Sequence, residues 1–158
     1  MYDLHSIHAQ LQDKESRLFR TEQALIRCFY DKLDHLQDCS DPLFSMWQNE
    51  LAFTYGNLGE LLSQNTKINP AELCALYGFE DPENVDLSQL LKSIQTFYSV
   101  LIKLITFNMV EGASSSQAHE VNGDSIQSIL SGSAFVSLGI VNYCYDDWFS
   151  WILKYWDS

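Results

Sequence analysis

Basic residues are scarce in this 158-residue chain, in which nine lysines and arginines stand against twenty-one aspartates and glutamates for a net charge of -12. Such a surface repels a phosphate backbone, so contact with DNA is expected to be indirect, through a partner. Cysteine is also sparse. Cys28, Cys39, Cys74 and Cys144 are far apart, with no Cys-x-x-Cys pair and no histidine at ligand spacing, which argues against a zinc site and for reduced thiols. The first residues have neither a basic start nor an apolar run, so no secretory signal is expected and the cytoplasm is the expected compartment. Strand-like alternation is nearly absent, which leaves an all-α fold. No uninterrupted apolar run reaches membrane-spanning length: Lys103 sits inside the longest one, and Gln95, Thr96 and Ser99 break it further. No membrane partner is expected.

What is present supports a packed domain. The composition is 46% hydrophobic and 13% aromatic, too apolar for a disordered chain, and the length fits a single core. Residues 86–111 read as one long buried helix around which the rest packs. Leu87, Leu90, Leu91, Ile94, Phe97, Tyr98, Leu101, Ile102, Ile105 and Met109 recur at three- and four-residue intervals. Asp86 fits the N-cap with Gln89 at the capping-box position, and Gly112 fits the stop.

The other segments divide at recognisable signals. Residues 1–42 contain an amphipathic helix with Leu18, Leu25, Ile26, Phe29, Leu33 and Leu36 inward and the basic residues in water, followed by a turn at residues 38–42. Residues 43–111 form the helical core. Asp41-Pro42 just before it and Asn69-Pro70 within it each combine a cap with a first-turn proline; the helix after Pro42 puts Phe44, Trp47, Leu51, Tyr55, Leu58 and Leu62 on one face, with Gly56 and Gly59 inside it marking a bend or stop near Tyr55-Gly56, and Gly78 stops the second. Residues 112–124, rich in serine, are expected to be a mobile surface loop. Residues 125–158 complete the same domain: a short helix capped by Asp124 and stopped by Gly132, an irregular stretch with Phe135, Leu138, Ile140 and Tyr143, and a terminal aromatic helix from Asp146.

Charge is unevenly distributed. Residues 1–32 hold five basic residues (Lys14, Arg17, Arg20, Arg27, Lys32) and five acidic ones, leaving four basic and sixteen acidic residues for the remainder. The acidity belongs to the body of the fold and suits a basic partner.

Catalytic patterns are lacking. His5 and His8 have no supporting carboxylates, and Asp146-Asp147 reads as helix-cap chemistry. No lysine has an acid two positions before it, as a restriction-type nuclease would require. Residues 131–135 follow a helical pattern rather than a strand, and Asp41-Pro42-Leu43-Phe44 lacks the second proline of a methyl-transfer motif. No catalytic, metal-binding or cofactor-binding residues are therefore assigned. Lys103 is expected to send its ammonium to water along the less apolar side of the central helix, the alternative being contact with a DNA phosphate or an acidic group of an adjoining domain.

Three stretches, in order, resemble the helical region that precedes the catalytic domain in adenine-N6 DNA methyltransferases and single-chain restriction-modification enzymes. Phe44-Ser45-Met46-Trp47 with Phe53-Thr54-Tyr55-Gly56 resembles that family's aromatic signature. Gln95-Thr96-Phe97-Tyr98 with Leu101-Ile102-Lys103-Leu104 is similar to its tyrosine- and leucine-bearing helix. Gly132, Phe135, Gly139-Ile140, Asn142-Tyr143 and Asp147-Trp148-Phe149-Ser150-Trp151 resemble the segment leading into its catalytic domain. The resemblance spans roughly residues 43–157. The glycine-rich cofactor loop, the Pro-Pro motif and the target-recognition region have no counterpart in this sequence. What the resemblance implies is a non-catalytic scaffold or connector, a fragment or subunit whose partner is a methyltransferase catalytic domain or another restriction-modification component. S-adenosylmethionine would belong to the parent enzyme and not to this chain. The alternative is an autonomous acidic interaction protein for a basic, DNA-binding partner.

Overall fold

A computed structural model describes residues 4–37, 42–55, 69–114, 123–140, 143 and 150–155. Among these the chain is all-α, with no strand. Helix α1 is Leu4–Gln12, α2 is Arg17–Gln37, α3 is Pro42–Tyr55 and α4 is Pro70–Leu76. A 3₁₀ turn, Pro82–Asn84, leads into α5, Leu87–Ser114, and then come α6, Gly123–Leu130, α7, Ser133–Ser137, and a terminal 3₁₀ helix, Ser150–Tyr155. Helix α5 is the central element expected from the periodicity. It packs along α2, and α6 closes on its C-terminal half.

Helix α5 starts where its cap chemistry requires. The Asp86 carboxylate accepts from the backbone N–H groups of Ser88 (2.8 Å) and Gln89 (3.1 Å), satisfying donors that no helical carbonyl can reach. Gln89 does not complete a capping box. Its amide donates to the carbonyl of Tyr30 at 2.6 Å, and the Tyr30 hydroxyl accepts the Asp86 N–H at 3.0 Å. The reciprocal bonds thus cross to α2 instead of closing locally, which fastens the start of α5 to the middle of α2.

Glycine stops act at Gly78, Gly132 and Gly139, all with positive φ. After Gly78 the Phe79 N–H returns to the Cys74 carbonyl at 2.9 Å, and after Gly139 the Ile140 N–H returns to that of Phe135 at 2.9 Å, both closing a helix end. Three expectations differ from what is observed. Gly112 does not end α5, which continues to Ser114; one glycine costs only about 1 kcal/mol in a helix, too little to stop one so long. Residues 133–137 form α7 instead of an irregular stretch, started by Gly132 and ended by Gly139. Helix α6 begins at Gly123, so Asp124 lies inside its first turn and not before it. The terminal element is a 3₁₀ helix over its described residues. The turn at residues 38–41, most of the serine-rich loop and the cap at Asp146 lie outside the described residues.

The core gathers Ile26, Phe29, Leu33, Phe44, Trp47, Cys74, Tyr77, Leu90, Phe97, Leu130, Trp151 and Ile152. On α2, Ile26, Phe29 and Leu33 point inward as expected, whereas Leu25 is exposed. Arg17, Arg20 and Arg27 are in water. Helix α5 is not buried all round: Tyr98, Ile102 and Met109 face solvent. By length and composition alone α5 could cross a membrane. Here it is the core helix of a bundle, held through its buried polar groups.

Candidate functional site

The unusual feature of this core is its polar content. Glu22, Gln89, Lys92, Ser93, Thr96 and Lys103 are all buried, five of them on α5. Helical spacing places Gln89, Lys92, Thr96 and Lys103 on one side of α5, turned toward α2, α3, α6 and the terminal 3₁₀ helix.

Each of these groups meets a named partner. The hydroxyls of Ser93 and Thr96 donate to the carbonyls of Gln89 and Lys92, four residues back, at 2.8 and 2.7 Å. The Thr96 oxygen still has room to accept, and the Trp151 indole N–H donates to it at 3.0 Å. This bond seats the terminal 3₁₀ helix, while the Trp151 ring meets Phe29 edge-on at 6.0 Å. One turn earlier, the Lys92 ammonium lies 5.1 Å from the centroid of the Trp47 ring, an attractive cation–π contact in a place shielded from water. Trp47 also donates its indole N–H to Gln95 at 3.2 Å and stacks on Phe44, which fixes α3 to α5. Lys103 donates from Nζ to the Leu130 carbonyl at 2.9 Å, where the last carbonyls of α6 carry partial negative charge. The expectation that Lys103 reaches water is therefore corrected. The residue is 5% exposed, because a helix C-terminus beside it supplies the acceptor that water would otherwise provide.

The second cluster centres on Glu22 of α2. Its Oε1 accepts from the hydroxyl of Tyr77, just past α4, at 3.2 Å and from that of Tyr98 on α5 at 3.0 Å. One carboxylate thereby joins three helical segments. Burial pushes the Glu22 carboxyl above its ordinary range, against which the two phenol bonds pull it down. Burial, then the nearby Glu22 charge, pushes the Tyr98 phenol up to about 12 and raises Tyr77 as well. Both phenols are thus protonated donors at neutral pH.

Among the described residues, no buried side-chain nitrogen or oxygen lacks a hydrogen-bond partner. Among the described residues no group of three or more His, Cys, Asp or Glu side chains could hold a metal ion. An open depression of about 470 Å³ lies elsewhere, lined by Arg27, Tyr30, Gly78, Phe79, Glu80, Asp81, Asn84 and Val85. Its floor is aromatic, with Arg27 over Phe79 at 5.6 Å and Tyr30 meeting Phe79 at 4.8 Å. Its rim is acidic.

The sequence-selected residues divide accordingly. Phe44, Trp47, Thr96, Lys103, Gly132, Phe135 and Trp151 are buried and are brought together around α5, Gln95 reaches them through Trp47, and Tyr98 joins the Glu22 cluster. Phe135 packs between Phe107 at 6.1 Å and Tyr143 at 4.7 Å. Gly139 is exposed and serves as the stop of α7. The side chain of Tyr55, together with Gly56, Asn142, Asp147 and Phe149, lies outside the described residues. Glu22, Tyr77 and Lys92 were not selected from sequence. Glu22 stands four residues after Leu18 and four before Ile26, an acid at an apolar position, and that interruption was a readable signal.

No family model, curated protein or solved structure matches the chain.

Proposed function

We propose that the chain is a non-catalytic helical scaffold, the connector domain of an adenine-specific DNA methyltransferase or restriction-modification enzyme whose S-adenosylmethionine-dependent chemistry resides elsewhere. One observation supports the scaffold role. Among the described residues that resemble the family's motifs, polar atoms are spent inside the domain: Trp47 on Gln95, Trp151 on Thr96, Lys103 on the end of α6 and Tyr98 on Glu22. A catalytic or cofactor-binding set would instead direct such atoms into a cavity. The link to methyl transfer is carried by the three ordered stretches alone.

The test is recovery of the tagged full chain from its native cells, followed by assay for transfer of labelled methyl groups to adenine in DNA. The expected result is activity in the recovered complex and none in the chain purified alone. Methylation or tight S-adenosylmethionine binding by the isolated chain would overturn the non-catalytic assignment, and recovery without a methyltransferase would overturn the family link.

A second reading, an autonomous acidic interaction protein, is favoured by the exposed carboxylates Glu80, Asp81, Glu83 and Asp86 within a single connection. Under it, the partner is basic and its binding weakens with salt. Reversing Glu80 and Asp81 to lysine would then abolish recovery of that partner, whereas the connector reading predicts no loss.

A further inference from the structure

The depression beyond α4 holds opposite charges that do not meet. Its lining comes from three segments: Arg27 and Tyr30 of α2, Gly78 to Asp81 after α4, and Asn84 and Val85 at the end of the 3₁₀ turn. Arg27, Glu80 and Asp81 are exposed, so all three charges border the same open space of about 470 Å³. Two carboxylates lining a hollow with a guanidinium would ordinarily close on it. Among the described residues, Arg27 nevertheless forms no ion pair.

Each side is held separately. The Arg27 guanidinium carbon lies 5.6 Å from the centroid of the Phe79 ring. It lies close against Gly78, where a Cβ would come within 3.3 Å of Nη1. On the acidic side, Asp81 Oδ2 accepts from the Asn84 amide at 2.6 Å, which leaves Oδ1 open. Among the described residues, the Glu80 carboxylate has no hydrogen bond or ion pair. The aromatic lining is fixed as well, because the Tyr30 hydroxyl accepts the Asp86 N–H at 3.0 Å and the ring meets Phe79 at 4.8 Å.

We infer that this depression binds a free α-amino acid as its zwitterion. The ligand carboxylate takes the N–H groups of Arg27, its ammonium donates to Glu80 and to Oδ1 of Asp81, and an apolar side chain rests on Tyr30, Phe79 and Val85. A simple anion would pair with Arg27 but face two carboxylates, and a simple cation would pair with the acids but face Arg27. A molecule bearing both charges on one carbon satisfies the two sides together. The volume suits a small ligand. The inference goes beyond both functional readings above, since a basic partner would need the carboxylates and not Arg27.

NMR titration of the full chain with L-leucine tests this, read from the backbone amides of Gly78 and Asn84. Their shifts are expected to saturate with a Kd of about 1 mM or tighter. N-acetyl-L-leucine, which lacks the ammonium, and L-leucinamide, which lacks the carboxylate, should each bind at least about tenfold more weakly. Arg27→Ala should weaken leucine by at least about tenfold without weakening leucinamide. Glu80→Gln combined with Asp81→Asn should weaken leucine without weakening N-acetyl-leucine, and this pair of isosteric changes at exposed positions decides the matter if Arg27→Ala loses helical circular dichroism. No saturable shift up to about 50 mM leucine would overturn the inference. So would leucinamide binding as tightly as leucine, which would leave only an acidic patch, or leucine binding undiminished in either folded variant, which would place the ligand elsewhere.

Discussion

Replacing Glu22 separates the hydrogen-bonding role of its carboxylate from the cost of its charge. Glu22→Ala removes the acceptor for two phenols. Tyr77 is 5% exposed and cannot recover a bond from water, which costs about 1–3 kcal/mol; Tyr98 is 37% exposed and recovers part of its own. The void left by the side chain adds to this and relief of the buried charge subtracts, so the net loss is roughly 2–4 kcal/mol, or about 5–15 °C in Tm for a chain of this size. Glu22→Gln behaves differently, because its amide oxygen can take both phenol bonds without the charge. It should fold close to wild-type stability at neutral pH.

The pH dependence carries the sharper test. Burial raises the folded Glu22 carboxyl above its ordinary value of 4.5, so between that value and the folded one the native state holds more protons than the unfolded chain. Its contribution to stability is therefore fullest below 4.5 and is lost as pH rises through the folded value. Glu22→Gln has no such loss and should gain on the wild type as pH rises from mildly acid to neutral. Urea unfolding followed by circular dichroism at several pH values measures the difference. A glutamine variant as unstable as the alanine variant, or one that gains on the wild type as pH falls, would refute the reasoning.

Other outcomes follow from single contacts. Thr96→Val keeps the shape of the side chain but takes away the acceptor 3.0 Å from the Trp151 indole, so it should cost about 1–3 kcal/mol and shift tryptophan fluorescence, read by thermal unfolding. Asp86→Ala removes the cap of α5 and should cost about 1 kcal/mol by urea midpoint, while Asp86→Asn should cost much less. At alkaline pH, the raised Tyr98 phenol contributes stability that is present below 10 and lost as pH climbs toward about 12. Tyr98→Phe should therefore lose less stability over that range, as unfolding curves from pH 9 to 12 would show.

How far the site was legible depends on the kind of residue. Trp47, Phe135 and Trp151 are aromatic residues among helical segments, and such residues are buried wherever helices pack, whereas Thr96, which interrupts the apolar run, is buried because the Trp151 indole 55 residues away donates to it. Lys103 misled, because a lysine on a helix reads as solvated unless an acceptor is supplied from elsewhere, and that acceptor, Leu130, lies 27 residues away. Gln89 misled for the same reason, since its partner Tyr30 lies 59 residues away. Glu22 could have been suspected from its register among apolar neighbours, but its two phenol partners are 55 and 76 residues distant.

The sequence by itself determined the all-α class, the central helix with its Asp86 cap, the glycine stops at Gly78 and Gly132, and the acidity of the body. Each is a local matter: backbone sterics, side-chain reach within a turn and helical periodicity act over a few residues. Only the tertiary structure decided which side of the central helix faces the core. Its apolar residues surround most of the helix, so periodicity alone could not choose between burying Leu90 and burying Ile102. The choice follows from Glu22, Trp47, Trp151 and the end of α6, which supply partners for Gln95, Thr96, Tyr98 and Lys103 and so leave Ile102 and Met109 in water.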